Sequence, residues 1–247
     1  MQRLAELPML PGYHSAQTGA NKSPRGLPIQ IDRNAAQGIL WVTMESQVVG
    51  VDLDNTIICY DSLFHRLAVE RGLVPVDLQP SKKLIRDQVR ELPDGEIEWQ
   101  KLQAEAYGPR IGEAGVFPGV RDFFATARAR GVRAFIVSHK TRHAPYGDPE
   151  VSLREAAVEF LRAEGLLDCL LDEEADVFFA DTRQEKCRRV EALCCATFVD
   201  DLLETFREPE FPKTTERLLF DPLNVYSESV PERRFASWAG ITKHVFN

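Results

Sequence analysis

The sequence predicts an α/β fold: a parallel sheet flanked by helices and interrupted by a small α-helical insertion. Three observations predict it. Five short apolar runs recur from Val48 onward, helical patterns separate most of them, and one connection is far too long for a simple crossover.

Residues 1-43 carry Pro8, Pro11, Pro24 and Pro28 among scattered Gly, Ser and Asn, with no apolar period of either kind. That composition predicts a disordered or loosely attached extension. Met44 stands just ahead of the first strand, so the functional protein is expected to begin there. The core is expected over 44-57 and 119-247.

The five runs are Val48-Val-Gly-Val51, Ala134-Phe-Ile-Val137, Asp176-Val-Phe-Phe179, Thr197-Phe-Val199 and Arg217-Leu-Leu-Phe220. Each is nearly continuous in apolar character, as strands covered on both faces are. Between Ile57 and Arg133 the chain exceeds the roughly 30 residues of one βαβ unit, so a segment is inserted, expected over 58-118. Its content is helical: Leu63, Phe64, Leu67 and Ala68 share one face, Leu84, Ile85 and Val89 share another, and Ile97 to Tyr107 forms a third segment. A helix over Val120 to Arg130 stops at Gly131, and one over Val151 to Leu161 opens with Ser152 and Glu155 at capping-box spacing. Phe235, Trp238, Ile241 and Val245 make a last helical stripe after Ser229 and Pro231.

Bulk properties exclude several classes. The 247 residues, 44% hydrophobic, suffice for a buried core, and the net charge is -8. The isoelectric point near 5.3 and the lack of a Lys/Arg run argue against nucleic acid as a partner. No apolar stretch approaches the roughly 20 residues of a membrane helix. Cys59, Cys169, Cys187, Cys194 and Cys195 form an odd set with no C-x-x-C pair, which points to buried thiols, with Cys187 and Cys194 on one helix face. A cytoplasmic protein in a reducing compartment is expected.

Two strand ends are acidic. Asp52-Leu-Asp-Asn-Thr56 follows the first run and Asp200-Asp201 follows the fourth, at the edge where an open parallel sheet binds ligands. An Asp after a strand is often only a turn former or helix cap. Four carboxylates at neighbouring strand ends, however, repel one another unless a cation or protons compensate. Oxygen donors without His or Cys favour magnesium.

These residues resemble the haloacid dehalogenase-like (HAD) superfamily, whose first motif is a strand followed by Asp-x-Asp-x-Thr, matched by Asp52, Asp54 and Thr56. Its other motifs follow in order: a strand ending in Ser138, then Lys186, then Asp200-Asp201 after a strand. The resemblance runs from residue 48 to about 205, or to about 220 with the last strand. It implies a Rossmann-like sheet of strand order 5-4-1-2-3 with a helical cap between the first two motifs. That order makes the first and fourth runs neighbours.

The resemblance also implies a mechanism. Asp52 attacks phosphorus to give an aspartyl-phosphate, and Asp54 protonates the leaving oxygen and then deprotonates water. Mg2+ is held by Asp52, the backbone carbonyl of Asp54 and the acidic pair, with Asp201 as the direct ligand and Asp200 in support. Ser138 donates to a phosphoryl oxygen, and Lys186 neutralises charge on phosphate and on Asp52. Thr182 and Glu185 form a capping box, so Lys186 sits in the first turn of its helix and reaches back over the strand ends.

Ser138, His139 and Lys140 are the candidates for substrate binding, although His139-Lys-Thr-Arg-His143 reads equally well as a solvated loop. Arg86, Arg90, Trp99 and Gln100 could face the phosphate from the insertion, with none preferred. The expected activity is that of a phosphomonoesterase acting on a small soluble phosphorylated metabolite, because a lid of this size excludes large substrates. A phosphotransferase would use the same residues and stays open, as does a catalytically silent binding protein on this fold. A dehalogenase is disfavoured, since carbon-halogen displacement needs neither Asp54 nor magnesium. Oligomeric state is unreadable.

Overall fold

The structure, a computed structural model, describes residues 47–226 and 232–247. The chain divides into two units, Met1–Thr43 and Met44–Asn247, and the described residues belong to the second. The expected extension over 1-43, Ser229 and Pro231 lie outside them.

Along the chain, strand β1 (Val48–Val51) is followed by β2 (Ile58–Cys59), helices α1 (Asp61–Glu70), α2 (Lys82–Arg90) and α3 (Gly95–Tyr107), and strand β3 (Gly115–Val116). Then come α4 (Val120–Ala129), β4 (Arg133–His139), α5 (Leu153–Ala163), β5 (Val177–Ala180), α6 (Arg183–Ala192) and β6 (Thr197–Asp200). The chain closes with α7 (Leu203–Phe206), β7 (Glu216–Phe220), β8 (Arg233–Phe235) and α8 (Trp238–Phe246).

The main sheet has the order β5-β4-β1-β6-β7-β8, and every pairing in it is parallel. Its first five strands follow the expected 5-4-1-2-3 arrangement read from the opposite edge. The sixth departs from it: Phe235 belongs to β8, paired with β7, and not to the final helix, which begins at Trp238. A three-residue edge strand carries no readable period, and only its pairing with β7 reveals it.

Alternate strand residues enter two cores. Val49, Val51, Ile136 and Leu218 face one, with Phe123, Trp238 and Ile241; Phe135, Val137, Phe198 and Leu219 face the other, with Cys187, Val190 and Phe206. Gly50 sits on the second face because Phe198 leaves no room for a side chain: a Cβ there would lie 2.5 Å from the ring.

The chain leaves the sheet edge through the antiparallel pair β2–β3, and α1, α2 and α3 lie between those strands. Their apolar faces meet in a core continuous with the first. Phe64 stacks on Trp99 with ring centroids 4.8 Å apart. Leu84 is exposed, contrary to the expected face, because α2 buries only Ile85 and Val89, one turn apart. Cys194 also departs from expectation. Helix α6 ends at Ala192, and Cys194 is exposed with φ 53° in the turn beyond, while Cys187 and Cys195 are buried. No helix among the described residues is long and apolar enough to cross a membrane.

Candidate active site at the carboxyl edge of the sheet

β1 lies between β4 and β6, so the chain departs from it in both directions, and the crevice of such a sheet opens beyond the strand ends at that point. Asp52 directly follows β1, and its backbone N–H donates to Val199 of β6 at 2.9 Å. The next residues reverse sharply: Ile57 and Ile58 both donate to the Leu53 carbonyl, and Asn55 takes the left-handed conformation at φ 63°. Asn tolerates it better than most side chains.

The reversal gives Thr56 three tasks. Its hydroxyl donates to Asp52 Oδ2 at 3.3 Å and accepts from the Asp201 backbone N–H at 3.1 Å. Its carbonyl accepts from the indole N–H of Trp238 at 2.9 Å. A buried residue of α8 thereby anchors the loop that carries the two first-motif carboxylates.

Lys186 is buried in the first turn of α6. Its Nζ donates at 2.6 Å to Asp52 Oδ1 and at 2.6 Å to Asp200 Oδ2. Thr182 caps the helix, its hydroxyl accepting from the Glu185 N–H at 3.1 Å, but the Glu185 carboxylate accepts from Asp181 N–H in place of the cap residue's own. The other oxygen of Asp200 accepts from Leu202 N–H at 2.8 Å, so both of its oxygens are engaged. Asp201 differs: its Oδ1 is buried without a partner.

Asp52, Asp200 and Asp201 each offer an oxygen within 4.8 Å of the others. Burial pushes the Asp52 carboxyl up to about 7, against the pull of Lys186 and with Asp200 adding to the rise. Burial, reinforced by the charges of Asp200 and Asp52, holds Asp201 well above the ordinary carboxylate range. One ammonium among three carboxylates leaves the cluster short of positive charge. An all-oxygen donor set with an orphaned carboxylate oxygen fits a hard divalent cation.

Asp54 stands half-buried on the other side. Tyr60 donates to its Oδ1 at 2.8 Å, and the buried Lys140 ammonium lies 2.8 Å from its Oδ2 and 4.6 Å from the Tyr107 ring centroid. Burial would raise this carboxyl, but Lys140 and the Tyr60 hydroxyl outweigh it and hold it below its usual range. Ser138, in β4, is buried with its hydroxyl unpartnered. His139 is exposed at its rim, with its Nε2 donating to the Asp181 carbonyl at 3.1 Å, and partial desolvation of the ring lowers its pKa.

The residues of the insertion read as phosphate-facing candidates are otherwise engaged: Arg86 with Asp87, Arg90 and Gln100 with Glu96, and Trp99 in the core. Tyr60 and Trp238 are contributors the sequence reading missed, and so is Lys82, whose charge favours the ionised forms of Asp54 and Asp201. Tyr60 and Lys82 reach the site through tertiary packing and bear no local motif. Trp238 did stand out as helical core, but nothing in the spacing tied it to Thr56.

No protein-family model matches the sequence, and no curated protein matches it. Solved structures do resemble the fold. Protein Tyrosine Kinase A of Mycobacterium tuberculosis aligns with a TM-score of 0.53 at 15% identity, over 82% of this chain and 99% of that one. A dehalogenase solved with an intermediate complex aligns at 0.51 and 15%, over 81% and 97%. The HAD-hydrolase YfnB of Bacillus subtilis, bound to magnesium, aligns at 0.50 and 13%, over 81% and 98%. At such identities the likeness establishes the fold, which hosts several chemistries.

Proposed function

We propose that this chain, which has the haloacid dehalogenase-like fold, is a magnesium-dependent phosphohydrolase acting on a small phosphomonoester. The observation that carries the reading is the convergence at one sheet edge of Asp52, held by Lys186 and Thr56, with two buried polar groups that lack partners, Ser138 Oγ and Asp201 Oδ1. Unpartnered buried groups are costly and mark places where a ligand completes the bonding.

In this reading Asp52 is the nucleophile. Its oxygen forms a bond to phosphorus as the ester oxygen departs, and water then attacks the aspartyl-phosphate, displacing Asp52. Lys186 keeps the nucleophile oriented and offsets its charge. Ser138 donates to a phosphoryl oxygen. Asp54, held anionic by Lys140 and Tyr60, is in the form that takes a proton from the attacking water. Donation to the leaving oxygen in the first half uses a proton that the phosphomonoester monoanion brings to Asp54, and the attacking water returns one in the second half. Lys140, 2.8 Å from Asp54 Oδ2, is the substrate-binding candidate beside it.

Asp52, Asp201 and the Asp54 carbonyl would hold Mg2+, with Asp200 orienting Lys186. The ion, when bound, offsets repulsion between nucleophile and phosphate. The α1–α3 segment serves as the cap over a core of 44-57 and 119-247, and the protein acts in the cytoplasm.

The test is hydrolysis of p-nitrophenyl phosphate with and without Mg2+, in the parent and in Asp52→Asn. Turnover confined to the parent with Mg2+ is expected. Equal rates in all conditions would remove Asp52 as nucleophile, and no turnover of any phosphate in a broad panel would favour a binding protein.

A further inference from the structure

A cleft of about 320 Å³ opens beside Asp201, between the first turn of α2 and the segment that follows β7. Its two walls differ in chemistry. The α2 wall carries Lys82, Lys83 and Arg86; the latter two pair with Asp87, leaving Lys82 as the charge of this wall directed at the Asp201 and Asp54 carboxylates. Lys82 Nζ lies 5.4 Å from the Tyr107 ring centroid and 5.7 Å from that of Phe64, and among the described residues it makes no ion pair. The opposite wall is mainly apolar: Phe117 and Phe220 pack edge to face at 5.0 Å, and Leu202, Leu223 and Val225 stand exposed around them, with Asn55, Glu204, Asp221 and Tyr226 as its polar members. These last three are among only eight large apolar side chains exposed in the described residues, so their gathering at one cleft is not the usual scatter.

Apart from Asn55 and Glu204 at its rim, the polar groups of that wall are already engaged, the Tyr226 hydroxyl with Leu203 N–H and the Asp201 carbonyl. Both oxygens of Asp221 already accept, from Val225 N–H at 2.8 Å and Tyr226 N–H at 3.1 Å. Asp61 Oδ1 accepts from Lys82 N–H at 2.7 Å. A polyhydroxylated body would find few replacement bonds here for the water it loses. The volume sits at the small end for ligand sites, which suits a metabolite-sized body and not a macromolecule.

We propose, on the reading of this chain as a phosphohydrolase, that this cleft receives the alcohol part of the substrate. The substrate class is then phosphomonoesters of compact apolar alcohols, with the phosphate between Lys82 and the carboxylate cluster. Lys82 supplies charge from outside the sheet edge, and Leu223 and Val225 supply selectivity.

Steady-state kinetics with 2-phenylethyl phosphate and glycerol 3-phosphate, both esters of primary alcohols, separate the alcohol's contribution from leaving-group chemistry. The parent should prefer the phenylethyl ester about tenfold or more in kcat/KM, through KM. Leu223→Asp/Val225→Asp, at two exposed positions, should collapse that ratio toward one. Lys82→Met should raise KM for both esters and keep the ratio. Comparable kcat/KM for the two esters in the parent, or a preference that survives the double variant, would overturn the cleft assignment while leaving the hydrolase reading intact. Absence of turnover for every phosphate would remove both.

Discussion

Lys186 Nζ lies 2.6 Å from Asp52 Oδ1, a contact between residues 134 apart in the chain, and both side chains are almost wholly buried. The same ammonium reaches Asp200 at equal distance. Lys186→Met would therefore leave two buried carboxylates without their counter-charge, a loss of about 3–5 kcal/mol. Urea denaturation should show it, and Asp200→Asn on that background should recover part. A variant as stable as the parent would mean that water already compensates the cluster.

Mg2+ should raise the thermal midpoint of the parent without any substrate present, by about 2.7 kcal/mol in stability at a hundredfold excess over Kd. Asp201→Asn should abolish most of that shift. Equal shifts in parent and variant would take Asp201 out of the ligand set.

Trp238→Phe keeps the ring in the core but removes the donor to the Thr56 carbonyl. The buried carbonyl left unpaired should cost about 1–3 kcal/mol. Because Thr56 also bonds to Asp52 and Asp201, kcat should fall as well. Calorimetry together with kinetics checks both, and lost stability with unchanged kcat would confine Trp238 to packing.

Gly50→Ala places a methyl against the Phe198 ring in the second core. Overpacking of this kind typically costs about 1–3 kcal/mol, measurable by thermal unfolding. A neutral outcome would mean that Phe198 can swing aside.

Burial pushes the Cys187 thiol up to about 11 and the Cys195 thiol up to about 12. The fold thus favours both thiols over thiolates. Their contribution to stability is complete below pH 9.0, the ordinary thiol value, and is lost as pH rises toward 11 and 12. Unfolding midpoints should fall across that range, and less steeply in Cys187→Ala/Cys195→Ala. At neutral pH iodoacetamide should label Cys194 first in the folded protein, read by peptide mass spectrometry; early labelling of Cys195 would contradict its burial.

Much of the sheet was legible because a strand covered on both faces must be apolar almost throughout. That constraint is local and shows in Val48–Val51 and Thr197–Val199. Helix starts were legible for a similar reason, since Ser152 and Thr182 satisfy N–H groups only three residues away. β8 was not legible, because three residues on an edge strand owe their conformation to β7. Cys194 was misread as helical because the end of α6 depends on a turn with a left-handed residue, which no apolar spacing announces.

Of the candidate site, the sequence by itself determined the acidic strand ends and the start of the helix that carries Lys186, because strand runs and the Thr182 cap are short-range; Ser138 and the role of Lys186 came from the family resemblance. Only the tertiary structure decided which groups pair. It gave Lys140 and Tyr60 to Asp54, both oxygens of Asp200 to Lys186 and Leu202, and left Asp201 Oδ1 and Ser138 Oγ without partners. The physical reason is that a buried charge or polar group takes its meaning from neighbours within a few ångströms, and packing from distant segments brings those neighbours together.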